Sequence, residues 1–287
     1  MKAMNNQIWY ITGASKGLGL ALTKKLLKEG HKVAATSRNK QELATAVGAD
    51  ESIFLPLAVH LTDENSVQQS ISETIAHFGR IDVVVNNAGY GLVGALEELT
   101  DVEARENFDI NVFGSLNVIR QSLPYMRKQQ SGHIFNIASI GGFAGGFPGF
   151  GIYCATKFAV HGFTESLAHE IKDFGLSATV VMPGYFRTNF LSDTSLNVPK
   201  NEISDYKTVR AAQNAHTNDY NGNQAGDPDK AAEVLIEVAQ MEQPPIHLFL
   251  GQDAYDLAET KMSIVKTDMH AVKDLATATA LSTKLNF

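Results

Sequence analysis

The sequence predicts a doubly wound α/β fold, a parallel sheet of about seven strands with helices on both faces. Seven short, β-prone apolar runs are separated by segments with helical apolar spacing. Strands that alternate with helices build parallel sheets. Crossovers between parallel strands are right-handed, which winds helices onto both faces. Size agrees: 287 residues, 44% of them apolar and 19% charged, can bury a large core without staples.

Ile8–Thr12 is the first strand. Lys16–Glu29 then places Leu18, Leu22, Leu26 and Leu27 at helical spacing and stops at Gly30. Lys32–Ser37 reads as a strand, Lys40–Val47 as a helix and Ile53–Val59 as a strand. Asp63–Phe78 starts on an Asp, carries Val67, Ile71, Ile75 and Phe78 on one stripe, and closes at Gly79. Asp82–Asn86 is a buried strand. Asp101–Arg127 is a long helix with a wide apolar stripe through Phe108, Val112, Leu116 and Ile119. Strand Ile134–Ala138, helix Ala155–Lys172, strand Ala178–Met182, helix Asp229–Gln240 and strand Ile246–Leu250 complete the pattern.

Two stretches break the rhythm. Asn189–Asp227 is polar and rich in Asn, Asp and Ser. It reads as a long loop, a length that usually serves as a lid or binding element. Phe190, Leu191, Leu196 and Val198 would turn inward from it. Asp253–Phe287 reads as a surface helix with a frayed end. Residues 1–287 are expected to form one domain carrying these two additions.

Composition excludes several functions. With 24 Lys and Arg against 31 Asp and Glu the net charge is −7, which argues against general nucleic-acid binding. The single cysteine, Cys154, excludes an intrachain disulfide and a multi-cysteine zinc site. The nine histidines are scattered, and no metal site is expected. The first residues lack a signal-peptide pattern, and no apolar stretch approaches the roughly 18 residues of a membrane span. The expectation is a cytoplasmic protein with no membrane or nucleic-acid partner.

The chemistry concentrates in three motifs. The first strand runs into Thr12-Gly13-Ala14-Ser15-Lys16-Gly17-Leu18-Gly19. Glycines there allow a tight turn and close approach to a pyrophosphate, and the following helix offers free N–H groups. A plain turn would also use glycines, but a glycine loop on the first strand of an alternating chain is the context a dinucleotide site requires. Asn86-Asn87-Ala88-Gly89 ends a buried strand, where a ligand contact and a strand-ending turn are both open readings. Ser139 also follows a strand. Tyr153 and Lys157, four apart, share a helix face. A free tyrosine is a poor base at neutral pH, and a nearby ammonium favours its phenolate.

Together, Thr12–Gly19, Asn86–Gly89, Asn111, Ser139, Tyr153, Lys157 and Pro183-Gly184 resemble the short-chain dehydrogenase/reductase family in order and spacing. The resemblance implies a Rossmann-type domain that binds NAD(H) or NADP(H). It also implies hydride transfer between nicotinamide C4 and a carbonyl or alcohol carbon. By the same resemblance Tyr153 is the catalytic acid/base and Ser139 polarises the substrate oxygen. Lys157 holds the nicotinamide ribose and lowers the tyrosine pKa, and Asn111 binds a water of the proton relay. Gly13, Ser15, Lys16, Gly17, Leu18 and Gly19 would hold the pyrophosphate. Asn87, Ala88 and Gly89 would lie along the adenosine side, and Pro183, Gly184 and Thr188 near the carboxamide or phosphate end. One position departs from the family: His60 stands where an Asp usually contacts adenine, so either an adenine contact or a tolerated exposed residue fits.

No acid ends the second strand, where an NAD site places one. Ser37 and Arg38 stand there instead, with Lys16 in the glycine loop. A guanidinium fork suits a 2′-phosphate, so NADP(H) is expected over NAD(H). Phe143, Phe147, Tyr185 and Phe190 would wall a pocket for a bulky apolar ketone or secondary alcohol. The same rings could instead pack loops onto the sheet. The expected partner beyond substrate is a second copy of the chain, in a homodimer or homotetramer. The competing functional reading is a non-catalytic NADP(H)-binding regulator on the same fold.

Overall fold

Trp9, Tyr10 and Ile11 are fully buried in β1 (Ile8–Ile11), because a central parallel strand is covered on both faces. In this computed structural model, residues 6–192 and 195–280 are described. From β1 the chain enters α1 (Gly17–Lys28), β2 (Lys32–Ser37), α2 (Lys40–Val47) and β3 (Phe54–Ala58). Then come α3 (Glu64–Phe78), β4 (Val83–Asn86) and the two-residue β5 (Gly91–Leu92). Asp63 caps α3 by accepting the Asn65 N–H at 3.0 Å, and Gly79 ends it in the left-handed conformation.

The predicted long helix is three pieces: α4 (Asp101–Phe108), a π-helical turn (Asp109–Phe113) and α5 (Gly114–Gln129). Thr100 and Glu103 form a capping box at its start. β6 (Gly132–Ile137) precedes α6 (Gly151–Glu170), which begins four residues before the predicted Ala155 and so takes Tyr153 into its first turn. β7 (Leu176–Pro183) leads into the polar segment. That segment contains β8 (Leu196–Asn197), α7 (Lys207–Asn214) and a second π-helical turn (Ala215–Tyr220). α8 (Pro228–Ala239), β9 (His247–Leu250), α9 (Gln252–Ala271) and α10 (Lys273–Thr277) follow.

Seven strands form one parallel sheet in the order β3-β2-β1-β4-β6-β7-β9. β1 pairs β2 on one side and β4 on the other, so the chain direction across the sheet reverses there. A crevice opens outside the carboxyl ends of such strands. One apolar layer joins β1 and β2 to α1 and α8 through Leu22, Leu26 and Leu235. The opposite layer joins the sheet to α3, α5 and α6 through Ile71, Val118 and Leu167.

The expected long loop at Asn189–Asp227 is instead a folded cap. β8 pairs β5, and Arg210 of α7 reaches the buried Glu98 carboxylate and Glu202. Glu98 also accepts N–H groups of Ala95 and Ile203, each at 2.7 Å. The polar residues that make the segment look solvated therefore include ion-pair partners of a buried acid. Leu191 and Leu196 turn inward as expected, but Val198 is 44% exposed. In the tail, Ala254 and Ala258 of α9 pack on Ile140. The predicted frayed end at 281–287 lies outside the described residues. No helix among the described residues is long and apolar enough to cross a membrane.

Candidate active site

β1 delivers the glycine loop to the carboxyl edge of the sheet, and β4 delivers Asn87-Ala88-Gly89 beside it. Thr12 ties the two together. Its hydroxyl accepts the N–H groups of Asn87 and Ala88, each at 3.0 Å. Asn87 borders the crevice but turns its amide nitrogen to the glycine loop. Its amide donates to the carbonyls of Thr12 and Gly13, each at 2.9 Å, and so braces the turn. Gly13 has φ +65°, and a Cβ there would lie 2.7 Å from the Ala88 Cα. Only glycine satisfies both conditions. Gly17 has φ +61° and lies close to Thr188 at the mouth of the crevice. The free N–H groups of the α1 N-terminus open into the same space, an arrangement that holds a pyrophosphate.

At the β2 end, Thr36, Ser37, Arg38 and Lys16 line the crevice together. Burial, then the Arg38 charge, holds the Lys16 ammonium below its ordinary value. Two cations thus crowd one end of the crevice. Ser37 turns its hydroxyl to the Asn39 carbonyl at 2.6 Å, shaping the start of α2. His60 is exposed on the rim with Leu61 and Thr62.

Ser139, Tyr153 and Lys157 meet at the other end. β6 places Ser139, whose hydroxyl accepts the Gly141 N–H at 3.0 Å and faces Tyr153 across Gly141. α6 carries Tyr153 and Lys157 on one face, with the ammonium 5.8 Å from the tyrosine ring centroid. Lys157 Nζ donates to the Ile137 carbonyl at 2.8 Å. Burial pushes the Tyr153 phenol well above its ordinary value, against the opposing pull of the nearby Ser139 hydroxyl. The expected lowering by Lys157 is not among the causes of this shift. Burial also brings Lys157 down to about 8, with no carboxylate among the described residues offsetting it.

Asn111 sits in the π-helical turn, a feature frequent at functional sites. Its side chain is fully engaged: it accepts the Tyr90 N–H at 3.0 Å and donates to the Tyr90 carbonyl and Thr156 hydroxyl, both at 3.1 Å. Its oxygen and Lys157 Nζ converge on Gly89, where a Cβ would meet them at 3.0 and 3.5 Å.

The glycine loop from Gly13 to Leu18, Arg38, Ser139, Tyr153 and Lys157 border one cleft of about 770 Å³, with Pro183, Gly184, Tyr185, Phe147, Phe150 and Phe190 along its walls, whereas Gly19 and the expected relay residue Asn111 lie behind that lining. A loop–helix–strand frame that joins a phosphate cradle to a Ser–Tyr–Lys cluster over one cleft suits reaction on a dinucleotide. The short chain dehydrogenase family model matches residues 7–198. The chain belongs to the short-chain dehydrogenase family.

The dehydrogenase is 35% identical over 277 residues to oxidoreductase BOA17 of Botryotinia fuckeliana (strain B05.10), covering 96% of this chain and 99% of that one. It is 36% identical over 250 residues to a 3-ketodihydrosphingosine reductase of Bacteroides thetaiotaomicron, covering 86% and 89%. A crystal structure of a short-chain dehydrogenase from Streptomyces avermitilis superposes with a TM-score of 0.88 at 32% identity, covering 97% and 100%. ElxO with NADP bound superposes at 0.70 and 26% identity, covering 86% and 97%. The dehydrogenase is therefore an oxidoreductase of this family.

One wall expectation needs correction. Phe143 does not line the cleft: the 3₁₀ turn at Ile140–Gly142 carries it outward, against Phe249 at 5.3 Å and His161 at 5.9 Å. Phe150 takes the position beside Tyr153 instead. Cys154 borders the cleft, but burial raises its thiol to about 11 and keeps it protonated. The fold also assembles a cluster that spacing alone hid. Glu165 accepts from His247 at 2.9 Å and lies 3.7 Å from His161. Asp253 belongs to none of the sequence motifs. It opens α9 and accepts the Tyr185 N–H at 2.7 Å, lying so close under Gly184 that no Cβ fits. Only a Gly-Gln-Asp helix start far along the chain hinted at it.

Proposed function

We propose that this chain is an NADP(H)-dependent oxidoreductase that moves hydride between nicotinamide C4 and the carbonyl or secondary alcohol carbon of a bulky, apolar small molecule. The observation that carries the reading is the meeting of Ser139 and Tyr153 over Gly141, beside the Lys157 ammonium, at the end of a glycine-cradled cleft. Gly13 to Gly19 and the α1 N-terminus would hold the pyrophosphate, Arg38 and Lys16 the 2′-phosphate, and Lys157 the nicotinamide ribose. When bound, the nicotinamide supplies or accepts the hydride. Ser139 orients the substrate oxygen, and Tyr153 gives its proton to that oxygen in reduction or takes one in oxidation. Lys157 moderates the charge on Tyr153. Asn111 holds the Tyr90 backbone and Thr156, which keeps the π-turn and α6 in register behind the acid.

Preference for NADP(H) is supported by the cation pair at the β2 end and the missing acid. Apolar walls from Phe147, Phe150 and Phe190 support the substrate class, and the relative that is a 3-ketodihydrosphingosine reductase agrees with a keto substrate. Self-association is supported by Phe113 and Phe158, which are 52% and 43% exposed on the π-turn and α6. The decisive experiment measures NADPH and NADH oxidation over a panel of apolar ketones and keto esters. Consumption of NADPH with kcat/KM above that for NADH is expected; preference for NADH overturns the cofactor assignment.

A further inference from the structure

Among the aromatic walls of the cleft stands a small polar group that the hydride-transfer machinery does not use. Tyr185 follows Pro183-Gly184 at the end of β7, and its phenol is 2.9 Å from His216 Nε2. His216 lies on the second π-helical turn, and its Nδ1 is 2.7 Å from the Ala212 carbonyl. A carbonyl only accepts, so Nδ1 carries the proton. Burial favours the neutral imidazole, and Nε2 is then an acceptor. The phenol must therefore donate to His216. Its oxygen keeps its lone pairs for something else.

Gln224 lines the same cleft as this pair. Its backbone carbonyl accepts from Arg187 at 3.0 Å, and two residues on, Gly226 bonds the Tyr185 carbonyl at 3.0 Å. The Gln224 side chain borders the same cleft and is 4% exposed, yet neither its amide oxygen nor its nitrogen has a partner. A buried primary amide with both ends unsatisfied is costly to keep. At a cleft wall it fits a ligand group that both donates and accepts.

We infer that Tyr185, His216 and Gln224 form a polar subsite for a hydroxyl group carried by the substrate in addition to its reacting carbonyl. A hydroxyl donates to the Tyr185 oxygen or to Gln224 Oε1 and accepts from Gln224 Nε2. An ammonium would leave the Gln224 nitrogen orphaned, because it has no lone pair to offer. The substrate class is thus a bulky apolar hydroxyketone, or the matching diol in the oxidative direction. His216 acts through Tyr185, as a positioning residue that points the phenol proton away from the ligand. This subsite rests on the oxidoreductase reading for its reacting carbonyl, but its recognition of a hydroxyl can be measured without turnover.

The test uses two readouts on the full chain. The first is binding, by calorimetry in the presence of NADP⁺, of a bulky diol and of the mono-alcohol that lacks the second hydroxyl. The wild-type protein is expected to bind the diol about tenfold more tightly, the scale of one or two hydrogen bonds to a built site. In Gln224→Leu and in Tyr185→Phe that ratio should fall towards one. The second readout is the ratio of kcat/KM for a hydroxyketone and its plain ketone, which should collapse in the same two variants. Equal binding of diol and mono-alcohol by the wild-type protein overturns the subsite. So does a Gln224→Leu effect confined to the KM for NADPH, which would make the amide a cofactor contact. Diol selectivity in a protein that reduces no ketone would retain the subsite and sink the oxidoreductase reading.

Discussion

Tyr153 and Lys157 are both driven towards their neutral forms by burial, the phenol upward and the ammonium down to about 8. A raised phenol keeps its proton through the neutral range, which suits the acid of a reduction. Tyr153→Phe should lower turnover by at least about 10²–10⁴-fold, the usual share of general acid–base catalysis, while NADPH still quenches or shifts fluorescence with an unchanged Kd. Retention of a tenth of the activity would remove Tyr153 from that role. The lysine has a signature in stability. Its folded value lies below the ordinary 10.5, so between pH 8 and 10.5 the unfolded chain binds more protons. Stability attributable to Lys157 then rises with pH across that window and is lost as pH falls through 8. In urea denaturation the stability of wild type relative to Lys157→Met should stay level below pH 8 and rise with pH between 8 and 10.5. At Gly13 a side chain meets Ala88 backbone at positive φ. Gly13→Ala should cost stability and weaken cofactor binding together, read by thermal denaturation and by titration with NADPH.

Elements are held by buried polar links as much as by apolar layers. Asn86 of β4 donates to Asn136 of β6 at 2.8 Å, and Asn136 donates to Thr164 of α6 at 2.9 Å. This chain locks the helix that carries Tyr153 and Lys157 to the sheet. Asn136→Ala leaves buried partners unpaired, and a loss of roughly 1–3 kcal/mol per group is expected in denaturant titration. The cap depends on Glu98 in the same way. Burial pushes its carboxyl up, but the N–H bonds from Ile203 and Ala95 and the Arg210 charge outweigh it and hold it below 4.5. Its contribution is therefore present above pH 4.5 and fades as pH falls through the lower folded value. Limited proteolysis should cut between residues 200 and 227 faster in Glu98→Ala than in wild type at pH 7, with the gap narrowing in acid. Equal cleavage at pH 7 would show that the cap does not hang on this acid. The apolar spacing of α1, α3 and the strands made them readable from the chain. α7 was not, because it buries only Val209 and its anchor is an ion pair with a residue over a hundred positions away.

At the scale of the whole molecule, Phe113 and Phe158 expose rings on helical faces that no other described element covers. The proposed subunit contact would cover them. Light scattering at micromolar concentration is expected to give a dimer or tetramer, and Phe158→Glu should shift it towards lower mass. A monomer in the wild-type protein would contradict the proposal. The sequence by itself determined the alternation of strands and helices, the parallel sheet and the positions of the glycine loop, Ser139, Tyr153 and Lys157. Those features are local: they rest on apolar periodicity, on glycine at a strand–helix junction, and on helical spacing of four. The tertiary structure alone decided which side chains meet. It turned Phe143 to the outer face and brought Phe150 to the cleft. It made Asn87 a brace of the glycine loop. It set Asp253 of α9 under Gly184 and left Gln224 unpaired at the cleft wall. No short-range pattern encodes such contacts, because they join residues far apart in the chain. They arise only when the packed layers bring the ends of β1, β4, β6 and β7 to one edge.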